Sequence, residues 1–273
     1  MARNKFIGIF DSGFGGLNTM KDIVAELPEY DFIYLGDSAR APYGNRSKEI
    51  IYKFSVQAVE FLFKKGCEIV ILACNTASSD ALHQIQKKYL PKYYPNKKVL
   101  GVIIPLAETA TFQTKNKKIG IMGTERTVAS KAFNRELLKI DSKIKIFQQA
   151  CPLLVPIVEA GENNSQITKT VLNKYIKTLM RRKIDTLILG CTHYGILKNK
   201  IKKIVGKDVT VISESKIVAK KFKDYLKRHP EIEKKISKRH KRIFYSTDLT
   251  EKFKTLGSNF FGEKIKVQKI DLK

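Results

Sequence analysis

Short aliphatic runs alternate with amphipathic segments along almost the whole chain. Runs such as 69–72 and 187–189 contain only aliphatic residues, whereas segments such as 48–65 repeat apolar residues at helical spacing. Short apolar runs are typical of strands buried in parallel sheets, and their alternation with helices predicts βαβ units. Ten strands are predicted, over residues 5–10, 31–36, 68–73, 98–104, 118–123, 143–148, 185–190, 208–212, 242–246 and 264–269, with helices that include 16–27, 48–65, 76–89, 128–139 and 166–182.

Ten strands are many for one sheet in a chain of 273 residues. We therefore expect an α/β protein of two similar three-layer domains, each built on a mainly parallel sheet. A weak internal sequence repeat supports two related units, because one strand is followed by CNTAS from Cys74 and another by CTHYG from Cys191. Open α/β sheets bind ligands at the carboxyl ends of their strands, so the active site is expected in the cleft between the domains, with the thiols facing each other.

Composition and charge place the chain among cytoplasmic globular proteins. No run approaches the roughly eighteen apolar residues of a membrane span, and residues 1–5 lead into a strand without a signal-peptide pattern. Lys and Arg number 52 against 26 Asp and Glu, which gives a formal net charge of +26. The basic residues are spread over most helices and are dense between Lys220 and Arg242, where Pro230 separates two helical segments. A solvated surface with only non-specific binding to nucleic acid is expected.

The four cysteines differ in their surroundings. No C-x-x-C pair occurs, so neither a metal site nor a disulfide framework is expected. Cys67 and Cys151 fit small buried hydrophobic residues. Cys74 and Cys191 stand out because hydroxyl, amide or imidazole side chains follow them directly.

A glycine-rich loop, DSGFGG, follows the first strand from Asp11. Its glycines let backbone amides turn toward an anion at a helix N-terminus. Asn18 stands where a dinucleotide fingerprint needs glycine, so a small carboxylate or an amino acid suits the loop better than a pyrophosphate. Asp11 would then hold an ammonium group or act on a thiol. A Pro42-Tyr43-Gly44 turn after the second strand is expected to place a phenol and free amides over the cleft.

Four blocks together resemble the signature of bacterial glutamate racemases, in the aspartate/glutamate racemase superfamily. The blocks are 11–16, 36–37 with 42–44, 73–78 and 190–194, and they occur in the family's order over most of the chain. The resemblance implies interconversion of L- and D-glutamate without pyridoxal phosphate, metal or another cofactor. It also implies a supply of D-glutamate for peptidoglycan in a bacterial cytoplasm, and family members often form homodimers.

The resemblance also implies roles for individual residues. Cys74 would be the base toward D-glutamate and Cys191 the base toward L-glutamate, with Asp11 near Cys74 and His193 beside Cys191. The implied substrate contacts are Asp11, Ser12, Tyr43, Gly44, Asn75, Thr76, Thr192 and His193. Glu159 matches an acidic residue that the family places near the second cysteine.

A domain division follows from the same resemblance. Residues 1–100 and 212–273 would form the first domain, which carries Asp11, Tyr43 and Cys74. Residues 101–211 would form an inserted second domain, which carries Cys191 and His193.

The chemistry of racemisation agrees with a pair of thiols. An α-proton leaves one face of the substrate and a proton arrives at the other, so two groups of the same kind on opposite faces exchange the roles of base and acid. An ordinary thiol pKa near 8.5 leaves little thiolate at neutral pH. A helix N-terminus after each strand, and the His193 imidazole, are expected to favour the thiolates.

Three departures from the family pattern concern helix entry and domain packing. They are Asn18-Thr19, Gly195-Ile196-Leu197 and Ser213-Glu214-Ser215. Alternative functions are racemisation of aspartate or another small acid, and cysteine-dependent amide hydrolysis, although Cys191 lacks the Gly-x-Cys-x-Gly turn favoured by such nucleophiles. A basic nucleic-acid-binding protein is a third alternative, but it does not explain why two similar thiol motifs occur.

Overall fold

The computed structural model describes residues 5–272, so the outermost residues of the predicted first domain, 1–4 and 273, lie outside the described residues. Ten strands occur within this range, as the hydrophobic pattern predicts. They are β1 (Phe6–Asp11), β2 (Phe32–Gly36), β3 (Cys67–Leu72), β4 (Lys98–Gly101), β5 (Lys118–Gly123), β6 (Lys145–Ala150), β7 (Thr186–Gly190), β8 (Thr210–Ile212), β9 (Arg242–Ser246) and β10 (Val267–Lys269).

Helices connect these strands and cover both faces of the sheets. They are α1 (Leu17–Glu26), α2 (Lys48–Lys64), α3 (Asn75–Asp80), α4 (Leu82–Gln84), α5 (Leu90–Tyr93), α6 (Ile103–Gln113), α7 (Glu125–Ser130), α8 (Ala132–Ile140), α9 (Leu154–Glu159), α10 (Gln166–Met180), α11 (Lys198–Val205), α12 (Glu214–Arg228), α13 (Pro230–Glu233) and α14 (Glu251–Phe261). Short 3₁₀ turns cover Ser38–Arg40, Tyr43–Asn45 and Thr192–Leu197, and a π turn covers Ile85–Tyr89.

The strands form two open sheets, which confirms the predicted α/β fold. The first sheet has the order β10-β9-β2-β1-β3-β4, and the second has the order β6-β5-β7-β8. Every described pairing is parallel. All residues of β1, β3 and β7 are buried, which explains why these strands appear in the sequence as continuous apolar runs.

The structure corrects the prediction in three places. The strand predicted over 98–104 ends at Gly101, because α6 begins at Ile103 and accommodates Pro105 in its first turn. The helix predicted over 76–89 is broken after Asp80 into shorter segments that include a π turn. The helix predicted over 128–139 is two helices, because Lys131 adopts a left-handed conformation (φ 53°) between α7 and α8.

The two sheets share a continuous apolar core. α12 follows β8 of the second sheet and packs along α1, which belongs to the first. The core that surrounds these helices includes Ile9 of β1, Leu187 of β7 and Phe222 of α12. The carboxyl ends of the two sheets are therefore held close together, while the boundaries of the two predicted domains stay a prediction.

A polar link crosses between the sheets beside this core. Arg126 of α7 donates to both carboxylate oxygens of Asp80 of α3, from Nε at 2.7 Å and from Nη2 at 3.0 Å. The Asp80 side chain is only 2% exposed, so its charge depends on this partner.

Replacement of Arg126 by Met is expected to destabilise the protein by about 3 kcal/mol, because it leaves the Asp80 carboxylate buried without its partner. Chemical denaturation measures the change. Lys139→Met removes the same charge from an exposed pair with Glu136 and is expected to cost less than about 0.5 kcal/mol. Equal losses in the two variants would show that the Asp80 contact carries no special stability.

Candidate active site

A cavity of about 150 Å³ lies between the carboxyl ends of the two sheets. Its lining comes from residues that directly follow β1, β3, β5, β6 and β7, from the turn at 41–45 and from α9. Ten of the residues singled out in the sequence line it, namely Ser12, Tyr43, Gly44, Cys74, Asn75, Thr76, Glu159, Cys191, Thr192 and His193. The eleventh, Asp11, is fully buried at the end of β1.

The two thiols reach the cavity from different sheets. Cys74 follows β3 and precedes the first residue of α3, and it is 4% exposed. Cys191 follows β7 and is 7% exposed, and a 3₁₀ turn rather than an α-helix begins after it. Ser12 Oγ lies 3.3 Å from Cys74 Sγ, and His193 Nδ1 lies 3.9 Å from Cys191 Sγ.

Burial opposes ionisation of both thiols. Desolvation raises the pKa of Cys74 to about 12, and the charge of Asp11 acts in the same direction. Desolvation also raises the pKa of Cys191 well above its ordinary value. Backbone N–H groups of Ala77 and His193 lower these pKa values, as expected for groups beside helical turns, but burial outweighs them. A positive charge inside the cavity would favour the thiolates.

Asp11 joins the glycine-rich loop to the second sheet. Its Oδ2 accepts a hydrogen bond from Gly13 N–H at 3.0 Å. Burial raises the pKa of Asp11, while the nearby His193, the backbone of Gly16 and the Thr192 hydroxyl act in the opposite direction. Asp11 therefore interacts with groups from both sheets.

The glycines of this loop allow a close approach between the two sheets. A Cβ atom on Gly15 would lie 2.5 Å from Thr192 Oγ1 and 2.9 Å from His193 Nδ1. A Cβ atom on Gly16 would lie 2.6 Å from Asp11 Cβ. The loop therefore has a packing reason for its glycines, besides the anion-binding reason suggested by the sequence.

His193 lies between Cys191 and a carboxylate. Its Nε2 is 3.4 Å from Glu159 Oε1, and its Nδ1 is 3.3 Å from Thr192 Oγ1. The rings of Phe14 and Phe260 pack edgewise on the imidazole at 5.4 and 6.1 Å. A carboxylate beside Nε2 favours a proton on that nitrogen, which leaves Nδ1 able to accept one. The arrangement can thus take a proton from Cys191 and return it.

The phenol of Tyr43, which lines the cavity, is hydrogen-bonded to a buried carboxylate. Its hydroxyl donates to Asp37 Oδ2 at 2.5 Å, and burial together with Asp37 raises the Tyr43 pKa well above its ordinary value. Asp37 is itself buried and also accepts from Arg40 Nε at 2.7 Å and from Thr247 Oγ1 at 2.8 Å. Tyr43 therefore anchors its turn, whose backbone lines the cavity.

Two further residues were missed in the sequence. Thr124, directly after β5, places its hydroxyl 3.0 Å from Thr76 Oγ1 and so connects the two sheets at the cavity. Glu214, the first residue of α12, accepts a hydrogen bond from Asn75 Nδ2. The position of Thr124 at a strand end is a signal that the sequence contained, whereas nothing near Glu214 in the sequence indicates its contact with Asn75.

Among residues 5–272, no group of three or more His, Cys, Asp or Glu side chains stands close enough to hold a metal ion. None of the helices described above is long and apolar enough to cross a membrane.

Comparisons with known proteins agree on one family. A family model described as Asp/Glu/hydantoin racemase matches residues 8–221. The chain is 40% identical to a glutamate racemase of Sulfurihydrogenibium sp. over 267 residues, which are 97% of each chain. It is 44% identical to the glutamate racemase of Aquifex pyrophilus over 221 residues, which cover 81% of this chain and 83% of the relative.

Solved structures show the same similarity. A glutamate racemase isoform from Bacillus anthracis superposes with a TM-score of 0.90 at 34% identity and covers 99% of this chain and 98% of its own. The glutamate racemase of Francisella tularensis, solved in complex with D-glutamate, gives a TM-score of 0.88 at 32% identity with the same coverage.

Replacement of Tyr43 by Phe is expected to lower the free energy of unfolding by about 1–3 kcal/mol, because Asp37 loses a buried donor. Urea denaturation measures the loss. Tyr93→Phe is the matched control, since Tyr93 is 55% exposed. A Tyr43 variant as stable as this control would contradict an anchoring role for the phenol.

Proposed function

The chain belongs to the Asp/Glu/hydantoin racemase family and, within it, to the glutamate racemases, and we propose that it interconverts L- and D-glutamate without a cofactor through Cys74 and Cys191. Three cysteines line the cavity, and the thiol of one of them, Cys151, donates to the carbonyl oxygen of Gln149 at 3.4 Å. The observation that carries the proposal is that the other two, Cys74 and Cys191, line the cavity from different sheets. A substrate held between them would present opposite faces of its α-carbon to the two sulfurs.

In the proposed reaction, one proton leaves one face of the α-carbon and another proton arrives at the opposite face. One cysteine, as thiolate, takes the α-proton and leaves a carbanion that the substrate carboxylate stabilises. The other cysteine, as thiol, gives its proton to the opposite face, which completes the inversion. After the turnover the two sulfurs have exchanged their protonation states, so the same site is ready for the opposite enantiomer. Following the family, Cys74 is the base toward D-glutamate and Cys191 the base toward L-glutamate.

The substrate itself supplies the charge that the thiols need. Burial keeps both thiol pKa values high, and the ammonium group of glutamate brings a positive charge into the cavity. A cation beside a buried thiol stabilises the thiolate, and the Asp11 carboxylate can hold the ammonium group there. Ionisation of the thiols is thereby linked to substrate binding.

Groups on each side assist the two cysteines differently. The Ser12 hydroxyl, 3.3 Å from Cys74, can donate to its thiolate. His193, which lies between Cys191 and Glu159, can accept the Cys191 proton as an imidazolium that the carboxylate stabilises. The proposed contacts to the substrate carboxylates are Asn75, Thr76, Thr192 and the backbone of 42–44.

The family supports a biological role for the product. We propose that D-glutamate formed here supplies peptidoglycan synthesis in the cytoplasm, and that the protein works as a homodimer. D-glutamate is the ligand in the complex of the Francisella tularensis relative. The net charge of +26 is assigned to a solvated surface with only non-specific attraction for nucleic acid.

Proton NMR in heavy water tests the reaction directly. The protein is expected to exchange the α-proton of either glutamate enantiomer for deuterium and to produce a racemate, as chiral analysis would show. Cys74→Ser and Cys191→Ser are each expected to lower the rate by at least about 10²-fold, because each removes one acid–base group.

Cys67→Ala is the control for this pair, since Cys67 lies outside the cavity, and its rate is expected to stay near that of the wild type. A folded wild type that neither exchanges nor inverts glutamate would rule out the proposal. Dependence on a single cysteine with a covalent acyl adduct would indicate a hydrolase instead.

Glu159→Gln tests the assistance to Cys191. The rate is expected to fall about tenfold, because the imidazolium of His193 loses its carboxylate partner. The value of kcat/KM must fall equally in both directions, since the two enantiomers have equal free energy. The α-deuterium isotope effect is expected to grow with L-glutamate, because Cys191 then removes the labelled proton in the slowed step. With D-glutamate it is expected to shrink, because the slowed Cys191 step then follows the removal of the label by Cys74.

Glu162→Gln, in the loop after α9, is the matched control and is expected to leave both isotope effects unchanged. Equal growth of the isotope effect with both enantiomers would exclude a specific link between Glu159 and Cys191.

A further inference from the structure

Glu214 is a buried carboxyl group behind the cavity, in the segment where the sequence departs from the family pattern. It begins α12, and its residue is 5% exposed. Thr19 Oγ1 of α1 donates to its Oε1 at 2.9 Å, and Asn75 Nδ2 of α3 donates to its Oε2. The departure therefore places a carboxyl group in contact with a residue that lines the cavity.

The surroundings of Glu214 do not compensate a negative charge. In the described part of the chain, its hydrogen bonds come from a hydroxyl and an amide, and no cation forms a salt bridge with it. Asp11 and Cys191 are the acidic groups that interact with it through their charges. Lys198 of α11 reaches the neighbouring Ser213, whose Oγ it contacts at 2.9 Å. A buried carboxylate without a cation is costly, so the neutral form is favoured.

We propose that Glu214 is a positioning residue for racemisation, which holds the side-chain amide of Asn75 in the orientation that binds a substrate carboxylate. This inference rests on the proposed function, because it requires Asn75 to meet the substrate. It adds a residue of α12, which connects the two sheets, to the support of the site.

The protonation state of Glu214 determines whether its carboxyl group can donate a hydrogen bond to Asn75 or only accept one. Burial raises the pKa of Glu214 to about 8, and Asp11 acts in the same direction, while the bonds from Asn75 and Thr19 oppose the rise. The carboxyl group is therefore mostly neutral at pH 7. A neutral carboxyl group carries an O–H donor, which a carboxylate lacks.

The two ends of the Asn75 amide respond to that proton. One end contacts Glu214, and Oδ1, at the other end, has no hydrogen-bond partner in the described structure. A neutral Glu214 donates its O–H to the amide oxygen, so a rotation of the amide by half a turn presents the NH₂ group at the other end. That NH₂ group can donate to a substrate carboxylate. An ionised Glu214 accepts from the NH₂ group instead, which is the orientation of the amide in the structure, and leaves the amide oxygen, which repels a carboxylate, at the other end.

The pH dependence of KM tests this arrangement. For the wild type, KM for glutamate is expected to rise above pH 8, toward tenfold per pH unit, as Glu214 loses its proton. Glu214→Gln keeps an N–H donor at every pH, so its KM is expected to match the wild-type value at pH 7 within about twofold and to stay flat through pH 8. Glu214→Ala is expected to raise KM about tenfold at pH 7 with a much smaller effect on kcat.

Thr19→Val separates positioning from packing. This variant removes the other hydrogen bond to Glu214 and leaves the contact with Asn75 in place. We expect a lower melting temperature with an unchanged KM at pH 7, and a rise of KM that begins at a higher pH than in the wild type, because the bond from Thr19 lowers the pKa of Glu214. If Glu214 acted only through the packing of α1 against α12, the Glu214 and Thr19 variants would lose stability together and neither would change KM.

The outcomes distinguish this inference from the proposed function. If the wild type racemises glutamate but Glu214→Gln follows the wild-type pH dependence, the positioning role is wrong and the racemase assignment stands. A wild type that does not exchange the α-proton would contradict both the positioning role of Glu214 and the proposed racemase function.

The proton itself can be observed without turnover. At pH 7 the difference infrared spectrum between the wild type and Glu214→Gln is expected to contain the band of a protonated carboxyl group. This band is expected to disappear with a midpoint near pH 8. Absence of that band from the wild type at pH 7 would also overturn the inference. If Glu214→Ala fails to fold, the comparison of Glu214→Gln with the wild type is sufficient for the test.

Discussion

Four acidic groups share one buried region, and the cost of charging them together governs the site. Cys74, Cys191, Asp11 and Glu214 are all withdrawn from water, and burial is the largest cause of the pKa shift of each. Each negative charge in such a region raises the cost of the next, so the groups titrate as a coupled set. Burial therefore opposes the ionisation of all four groups, and a positive charge bound among them would act in the opposite direction.

The close approach of the two sheets is what brings these groups together. The glycine-rich loop of the first sheet lies directly against Thr192 and His193 of the second, where a side chain on Gly15 has no room. α12 carries the chain back from β8 to the first sheet along α1. The same apolar core supports both sheets, so the separation of the thiols is set by packing that extends well beyond the cavity.

The fold could be predicted well from the sequence because its signals are local. An aliphatic run identifies a buried parallel strand without knowledge of its neighbours, and parallel strands bring their carboxyl ends to one edge. Cys74 and Cys191 could therefore be placed at a common cleft, and the structure brings both to one cavity, while the roles of the individual residues stay predictions. The segment 98–104 was assigned wrongly because Val102, Ile103 and Ile104 have the same apolar character in a strand as in the first turn of α6.

Contacts between distant segments could not be predicted in this way. Thr247 donates a hydrogen bond to Asp37 across 210 positions of sequence, and Asn75 donates one to Glu214 across 139 positions. Neither contact leaves a pattern in the flanking residues, because both depend on how the loops fold over the ends of the strands.

The burial of both sulfurs also bears on the hydrogen that the proposed reaction would remove from the substrate. With Cys74 and Cys191 4% and 7% exposed, bulk water has little access to either sulfur while the sheets stay together. In the proposed reaction, a hydrogen captured by one sulfur would therefore stay in the site for a lifetime set by the access of water to that sulfur. The ratio between that lifetime and the time of one inversion sets how often the captured hydrogen returns to the molecule it came from instead of passing to the solvent.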